Sequence, residues 1–350
     1  MLRILFVGPQ WHGSNAAGLT RALRQLGHAV KAIDPDAFFP FGQSTAVRFI
    51  RRLARSCFVR EYNNEILKYA RIMQPHFTLV YKGSGVLSQS VTSLRGLGAP
   101  VFLIYPDVSL HSHDRLIPRC VPLYDWVFTT KSFGPHDLQT HFGINCTEFL
   151  PHGFDPSIHR PLALGNRTKE LFGCDVSFIG NWSPKKERIL TYLAEQLPDI
   201  HLRVWGPNWT RVGHQILSQR IEGSEILGDV YPLAIQCSSI NLAILHEKVA
   251  GASSGDRTTS RTFHIPGSGG FMLHERTDEV RSFFQENEEM ACFGSPAELV
   301  DKVRYYLECP AEREQIRLAG HRRARADHSL EKRAERIINR YAALVDAANL

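Results

Sequence analysis

The residues between Ser253 and Leu273 (SSGDRTTSRTFHIPGSGGFML) concentrate more usable chemistry than any other part of the chain. Asp256, Arg257 and Arg261 bring one acid and two cations, and His264 adds an imidazole that can donate or accept. Pro266 fits the start of a helix but not its interior. Gly267, Gly269 and Gly270 then lead into the apolar run Phe271-Met272-Leu273, which reads as a buried strand. Glycines let backbone N–H groups approach a ligand closely, and arginines beside such a turn suit a phosphate group. The chemistry expected here is therefore anion binding.

Elsewhere, an acid follows the strand-like run Val101 to Tyr105: Asp107, placed to take a proton from a hydroxyl. A cap on the next turn is the plainer role for it. Trp11, His12 and Gly13 lie in the loop after the run Arg3 to Val7. An ordinary loop histidine fits His12 as well as a site residue does. His111, His113 and Asp114 are metal-ligand types close together, but such groupings are common in loops.

These groups need elements to hold them. Arg3–Val7, a helix from Ala16 to Leu26 and a strand from Ala29 to Ile33 make a βαβ opening without G-x-G-x-x-G, so a dinucleotide site is not expected there. A helix is expected from Glu61 to Gln74. Strands are expected at Thr78–Tyr81, Val101–Tyr105, Trp126–Thr130, Val176–Gly180, Leu202–Trp205, Ile226–Tyr231 with its turn, and Ile240–Ala243. Helices follow at Pro296–Leu307 and Pro310–His321. Phe38, Phe39, Phe41, Phe49 and Phe58 lie among arginines; core packing explains them better than a membrane surface, because the apolar face is short. The arginines from Arg313 to Arg340 read as a solvated helix face.

The sequence has 350 residues, 43% hydrophobic and 22% charged, which suits two ordinary domains and excludes disorder. A formal charge of +6 favours an anionic ligand without indicating nucleic acid. Seven scattered cysteines with no C-x-x-C point to free thiols in a reducing compartment. There is no signal-peptide pattern, and no apolar run nears the ~20 residues of a membrane span. A cytoplasmic location is expected.

Arg261, Phe263, Ile265, Pro266, Gly269 and Gly270 resemble the R-x-F-E-I-P-A-x-G-G donor segment of GT-B glycosyltransferases, in the group-1 branch similar to the CgeB spore-maturation proteins. His264 stands where that branch usually has Glu. Broader group-1 transferases carry two glutamates eight positions apart, the first on the donor sugar or phosphate and the second on the ribose. Asp256 and His264 occupy those positions here. Leu150-Pro151-His152-Gly153-Phe154-Asp155-Pro156 with Pro161 resembles the LP-x-G-x-D-P…P turn that joins the two domains. Phe178-Ile179-Gly180 and the basic start after it resemble F-x-G-x…R, Gly206 to Trp209 resembles G-x-x-W, and His328 to Arg333 resembles H-T/S-x-x-x-R. The match is densest from about 150 to 340.

The resemblance implies an α/β fold of GT-B type: two Rossmann-like domains facing across a cleft, with a C-terminal helix crossing back to the first. The implied domains are 1–160 on the acceptor side, 161–328 on the donor side, and the helix 329–350. It implies transfer of a sugar from a nucleotide-diphosphate sugar (UDP-, GDP- or dTDP-linked) to a hydroxyl of a saccharide, lipid, protein or small molecule. No metal and no bound cofactor are implied, and neither nucleic acid nor a transmembrane segment. Asp107, His12 and Asp256 become catalytic candidates. Gly180, Asn181, Lys185, Arg188, Gly206, Val230, Tyr231, Arg261, His264, Gly269 and Gly270 become donor-binding candidates. Trp11, Gly13, His152 and Gly153 would line the cleft. An epimerase on the same fold and a non-catalytic nucleotide-sugar-binding protein are the alternatives, and His264 keeps the second open. A phosphorylase using pyridoxal phosphate would need a Schiff-base lysine that the sequence does not identify.

Overall fold

The structure, a computed structural model, describes residues 1–39, 49, 52–112, 114–223 and 225–348. Phe41 and His113 lie outside them. The chain forms two compact units. The first comprises Met1–Pro151, Lys248–Ser254 and Leu330–Leu350, and the second His152–Glu247 and Gly255–Ser329.

The first unit runs β1 (Arg3–Val7), α1 (Asn15–Gln25), β2 (Ala29–Ile33), α2 (Arg55–Met73), β3 (Phe77–Tyr81), α3 (Ser88–Arg95), β4 (Val101–Tyr105), β5 (Trp126–Thr129), α4 (Gly134–Phe142) and β6 (Thr147–Phe149). All six strands are parallel, in the order β2-β1-β3-β4-β5-β6. Alternation along β1 explains the layers. Leu5 and Val7 pack with Tyr62 and Ile66 of α2 and Val91 and Leu94 of α3. Ile4 and Phe6 face the other way, onto Ala16, Leu19 and Leu23 of α1.

The second unit runs α5 (Asn166–Phe172), β7 (Cys174–Ile179), α6 (Pro184–Gln196), β8 (Leu202–Trp205), α7 (Val230–Cys237), β9 (Ser238–Ala243), α8 (Ser260–Gly267), β10 (Met272–Glu275), α9 (Asp278–Phe283), β11 (Ala291–Phe293), α10 (Pro296–Glu308) and α11 (Pro310–Asp327). Its five parallel strands follow the order β11-β10-β9-β7-β8. Val176 and Phe178 of β7 bury against Leu190 and Leu193 of α6 and Leu299 and Val303 of α10. Ala234 and Ile235 of α7 and Phe263 and Ile265 of α8 fill the opposite side.

The last helix, α12 (Leu330–Ala348), belongs to the first unit. Leu330, Ala334 and Ile337 enter the cluster that holds Ile4 and Phe6. Its arginines are not merely a solvated face. Arg336 and Arg340 both pair with Glu148, at 2.6 and 2.9 Å, and buried Arg333 donates to the Pro151 carbonyl. In α11, Arg317 likewise donates to the Gly269 carbonyl.

Two expectations need correction. Residues 226–231 are not a strand: Ile226 to Asp229 form a loop and turn, and Val230 begins α7. Pro266 lies inside α8, in its last turn, where it costs the helix one backbone bond at most.

Candidate functional site

The second sheet has its topological switch point between β7 and β9, since β8 extends it on one side and β10 on the other. Ligands in open α/β sheets bind beyond the carboxyl ends of the strands at such a point. Arg261, in the first turn of α8, reaches into it. Its guanidinium donates to the Ile244 carbonyl at 2.7 Å and the Ile179 carbonyl at 3.4 Å, over the face of Phe178 at 5.0 Å. It thereby bridges the ends of both strands. Gly180 is needed beneath it, because a Cβ there would collide with Arg261 Nη1. Gly206 (φ +134°) in turn packs on the Gly180 backbone, where any side chain would clash. The close approach that these glycines permit is to protein groups.

The start of α6 brings a second cation. Ser183 caps the helix and Pro184 opens it, so the chain enters helix directly from the β7 loop. Lys186 follows in phase with the buried stripe Ile189, Leu190, Leu193, and is itself buried. Its Nζ donates to the Asn181 carbonyl at 3.1 Å. Burial and then the charge of Arg261 pull its pKa down to about 7. Among the described residues neither Lys186 nor Arg261 forms an ion pair. Asp256 and Glu247 influence Lys186 only through longer-range charge. Glu247 is committed to the end of α6. It accepts from Ser183 Oγ at 2.7 Å and from the Lys185 N–H at 3.3 Å, and these bonds outweigh its burial to hold it at about 2. Lys185 pairs with Glu275 at 2.5 Å. Arg188 is exposed and nearly opposite Lys186 on the helix, so Lys186 is the cation beside Arg261. Asn181 is exposed and contributes its carbonyl.

His264 lies one turn beyond Arg261 on the same face of α8. Its ring stacks on His159 with centroids 3.8 Å apart, and Tyr231 meets both rings edge-on at 5.5 and 5.8 Å. Burial, then the neighbouring His159, press its pKa well below 6.5 against a backbone hydrogen bond with Gly153. Gly153 thus supports His264, and His152 is buried with Nδ1 3.3 Å from Ser260 Oγ. Nearby, buried His274 joins the capping box of α8. Its Nε2 lies 2.8 Å from Thr262 Oγ1 and its Nδ1 2.6 Å from the Glu275 carbonyl. Thr259 N–H donates to that same Thr262 oxygen. One neutral tautomer satisfies all three bonds, with Nδ1 carrying the proton. Burial holds His274 near 4.

The glycine-rich turn does not act as an anion cradle. The N–H groups of Gly269 and Gly270 bond to the carbonyls of Pro266 and Ile265, and both residues are buried against Pro161, Arg317 and Ile235. They follow the C-terminus of α8, whereas its positive end lies at Ser260 and Arg261. Val230 is exposed at the start of α7, and Tyr231 is buried beside His264.

In the first unit, Asp107 lies just past β4 and pairs with Lys82 at 2.8 Å. Lys82 follows β3 in a left-handed conformation (φ 66°) that aims it from the turn. Trp11 and His12 are exposed after β1, and Gly13 (φ 94°) turns the chain into α1. These residues share the carboxyl edge of the sheet, with β3 between β1 and β4. Asp114 is spent on structure: it accepts from the N–H groups of Gly85 and Leu116, and the ring of His111 stacks on Phe142. No metal-binding cluster occurs among the described residues, and none of their helices is long and apolar enough to cross a membrane.

Residues 184–339 match the family model described as glycosyl transferase-like. The fold as a whole is shared with solved structures of low sequence identity. Sucrose-phosphate synthase from Thermosynechococcus elongatus aligns over 99% of this chain and 100% of its own, at 13% identity and a TM-score of 0.70. Anabaena HepE, solved with UDP-glucose, aligns over 98% and 100% at 12% identity and 0.68. AviGT4, a glycosyltransferase of avilamycin A biosynthesis, aligns over 99% and 98% at 14% and 0.63. A search of curated proteins by sequence finds no match. The likenesses identify the GT-B fold.

Proposed function

We propose that this GT-B chain transfers a sugar, of hexose type, from a nucleotide-diphosphate sugar to an acceptor hydroxyl without a metal ion. The observation that carries the reading is the pair of cations at the switch point of the second unit: Lys186, which is buried, and Arg261, which is half-buried with its Nε out of solvent. A buried charge without a partner is costly, and a diphosphate supplies the missing counter-charge. The two cations, with the N-terminus of α8, stabilise the negative charge that grows on the leaving diphosphate as the anomeric C–O bond breaks. Asp107 and His12 of the first unit are the candidates to take the acceptor's proton if the reaction inverts. The glycosyl transferase-like match over 184–339 and the UDP-glucose complex of HepE support a nucleotide-sugar ligand.

His264 favours a second reading, a protein that binds nucleotide sugars without turning them over. A histidine buried and held neutral offers a ribose one acceptor lone pair, whereas a glutamate offers several. A melting-temperature panel of UDP, GDP, dTDP and their sugars identifies the ligand, since a ligand at 100 times its Kd stabilises by about 2.7 kcal/mol. Release of the nucleoside diphosphate from the stabilising sugar nucleotide, with a labelled product, separates transferase from binder. No stabilisation by any member of the panel refutes both.

A further inference from the structure

Tyr231 carries a hydroxyl that nothing in the fold explains. Its ring is accounted for: it is 8% exposed and meets His159 and His264 edge-on. Its oxygen is buried without a hydrogen-bond partner among the described residues. A phenylalanine would fill the same cage and leave no polar atom unsatisfied, so the hydroxyl costs the fold something and returns nothing to it. The Nε of Arg261 is in the same condition, buried and without a partner. Burial keeps the Tyr231 hydroxyl protonated, and the Arg261 guanidinium is near enough to act on it electrostatically. They are joined through α8, where Arg261 and His264 share a face and His264 touches the Tyr231 ring. Lys186, beside Arg261, uses one of its three donors on Asn181. Tyrosine hydroxyl, guanidinium Nε and ammonium are all donors, and donors alone select an oxygen anion.

The geometry points to Tyr231 as a ligand of the donor's diphosphate: its hydroxyl donates to a phosphate oxygen alongside Arg261 Nε and Lys186. This rests on the donor-site reading above and deepens it: Tyr231, so far only one of the donor-binding candidates, is given a specific partner, a phosphate oxygen. The test is Tyr231→Phe, titrated with UDP, GDP and dTDP and melted without ligand. A hydrogen bond to a charged group contributes roughly 1.5–3 kcal/mol, so affinity for the nucleoside diphosphate that binds wild type should fall about 10- to 150-fold. Its sugar-linked form should lose the same factor, because both share the diphosphate. The ligand-free variant should melt at or above wild type, because an unsatisfied hydroxyl has been removed. An affinity within twofold of wild type overturns the inference. So does a lower melting temperature without ligand, which would mean that the hydroxyl bonds within the protein. If wild type binds none of the three nucleoside diphosphates, the donor-site reading fails and this inference falls with it.

Discussion

Lys186 gives the donor-site reading its sharpest test, because the group proposed to bind the diphosphate titrates in a convenient range. In the free protein its pKa is about 7, so at pH 7.5 and above it is mostly neutral. An anionic diphosphate beside it favours the ammonium, so binding takes up a proton and weakens as pH rises. The window should open at pH 7.5, because a terminal phosphate completes its second ionisation near pH 6. If the bound ligand restores Lys186 to its ordinary range, affinity falls by about 25-fold between pH 7.5 and 9, equivalent to about 2 kcal/mol. Calorimetric titration across that window, in two buffers of different ionisation enthalpy, measures both the slope and the proton uptake. Lys186→Met should bind more weakly at pH 7.5 and show no slope. Its fold should be at least as stable, since a buried amine whose charged form is disfavoured has been exchanged for an apolar side chain of similar size. A flat wild-type profile, or the same slope in the methionine variant, refutes the reasoning.

Other perturbations follow from the same geometry. Gly180→Ala places a methyl group against Arg261 Nη1. The end of a flexible side chain can move aside, so the fold should survive while diphosphate affinity, read by titration, drops about tenfold through loss of one charge-assisted bond. Turnover of the sugar nucleotide should persist in excess EDTA, since Lys186 and Arg261 carry the phosphate charge; loss of activity restored by magnesium or manganese would contradict this. Acid should weaken the fold, because His274 is held near 4 and binds its proton more readily when unfolded, at about 6.5. Its contribution is complete above pH 6.5 and is lost as pH falls towards 4, by about 3 kcal/mol at pH 4. His264 and His321, also lowered by burial, add to the loss. A melting temperature unchanged from pH 7 to 4.5 would refute this.

Much of this architecture is legible in the sequence because central buried strands are short apolar runs, as β1 and β4 are, and the edge strands β2 and β8 also coincide with the runs read from the sequence. The failures have physical causes. Ile226 to Tyr231 carries the β-branched and aromatic residues of a strand, yet burial of Ala234 and Ile235 draws the chain from Val230 onward into α7. The arginines of α11 and α12 read as solvent-facing, because nothing local shows that Glu148, Gly269 and Pro151 lie within their reach. Arg261 stands out by residue type and by resemblance. Lys186 does not, since beside Lys185 and Arg188 it looks like one more surface charge. Its phase with Ile189, Leu190 and Leu193 is the signal that separates it from them.

The glycine-rich turn and the proposed anion site lie at opposite ends of one short helix, and this reassigns chemistry along the whole stretch. Glycine followed by an apolar strand suggests a phosphate loop when backbone N–H groups are free to point outward. On the proposed reading the first turn of α8 takes that role: Thr259 and Thr262 cap each other, His274 steadies Thr262, and Arg261 lies between the two threonines in sequence. The glycines at the far end close the helix and let β10 pass beneath Ile235 and Asn241. His264 falls between, with its ring in the cage of His159 and Tyr231. A glutamate there would set a carboxylate in that cage, where burial disfavours its charge unless a ligand hydroxyl pays the cost. A neutral histidine stacks at no such penalty. On the proposed reading, His264 in place of a glutamate leaves fewer acceptors for a ribose and shifts recognition to the donors around Arg261.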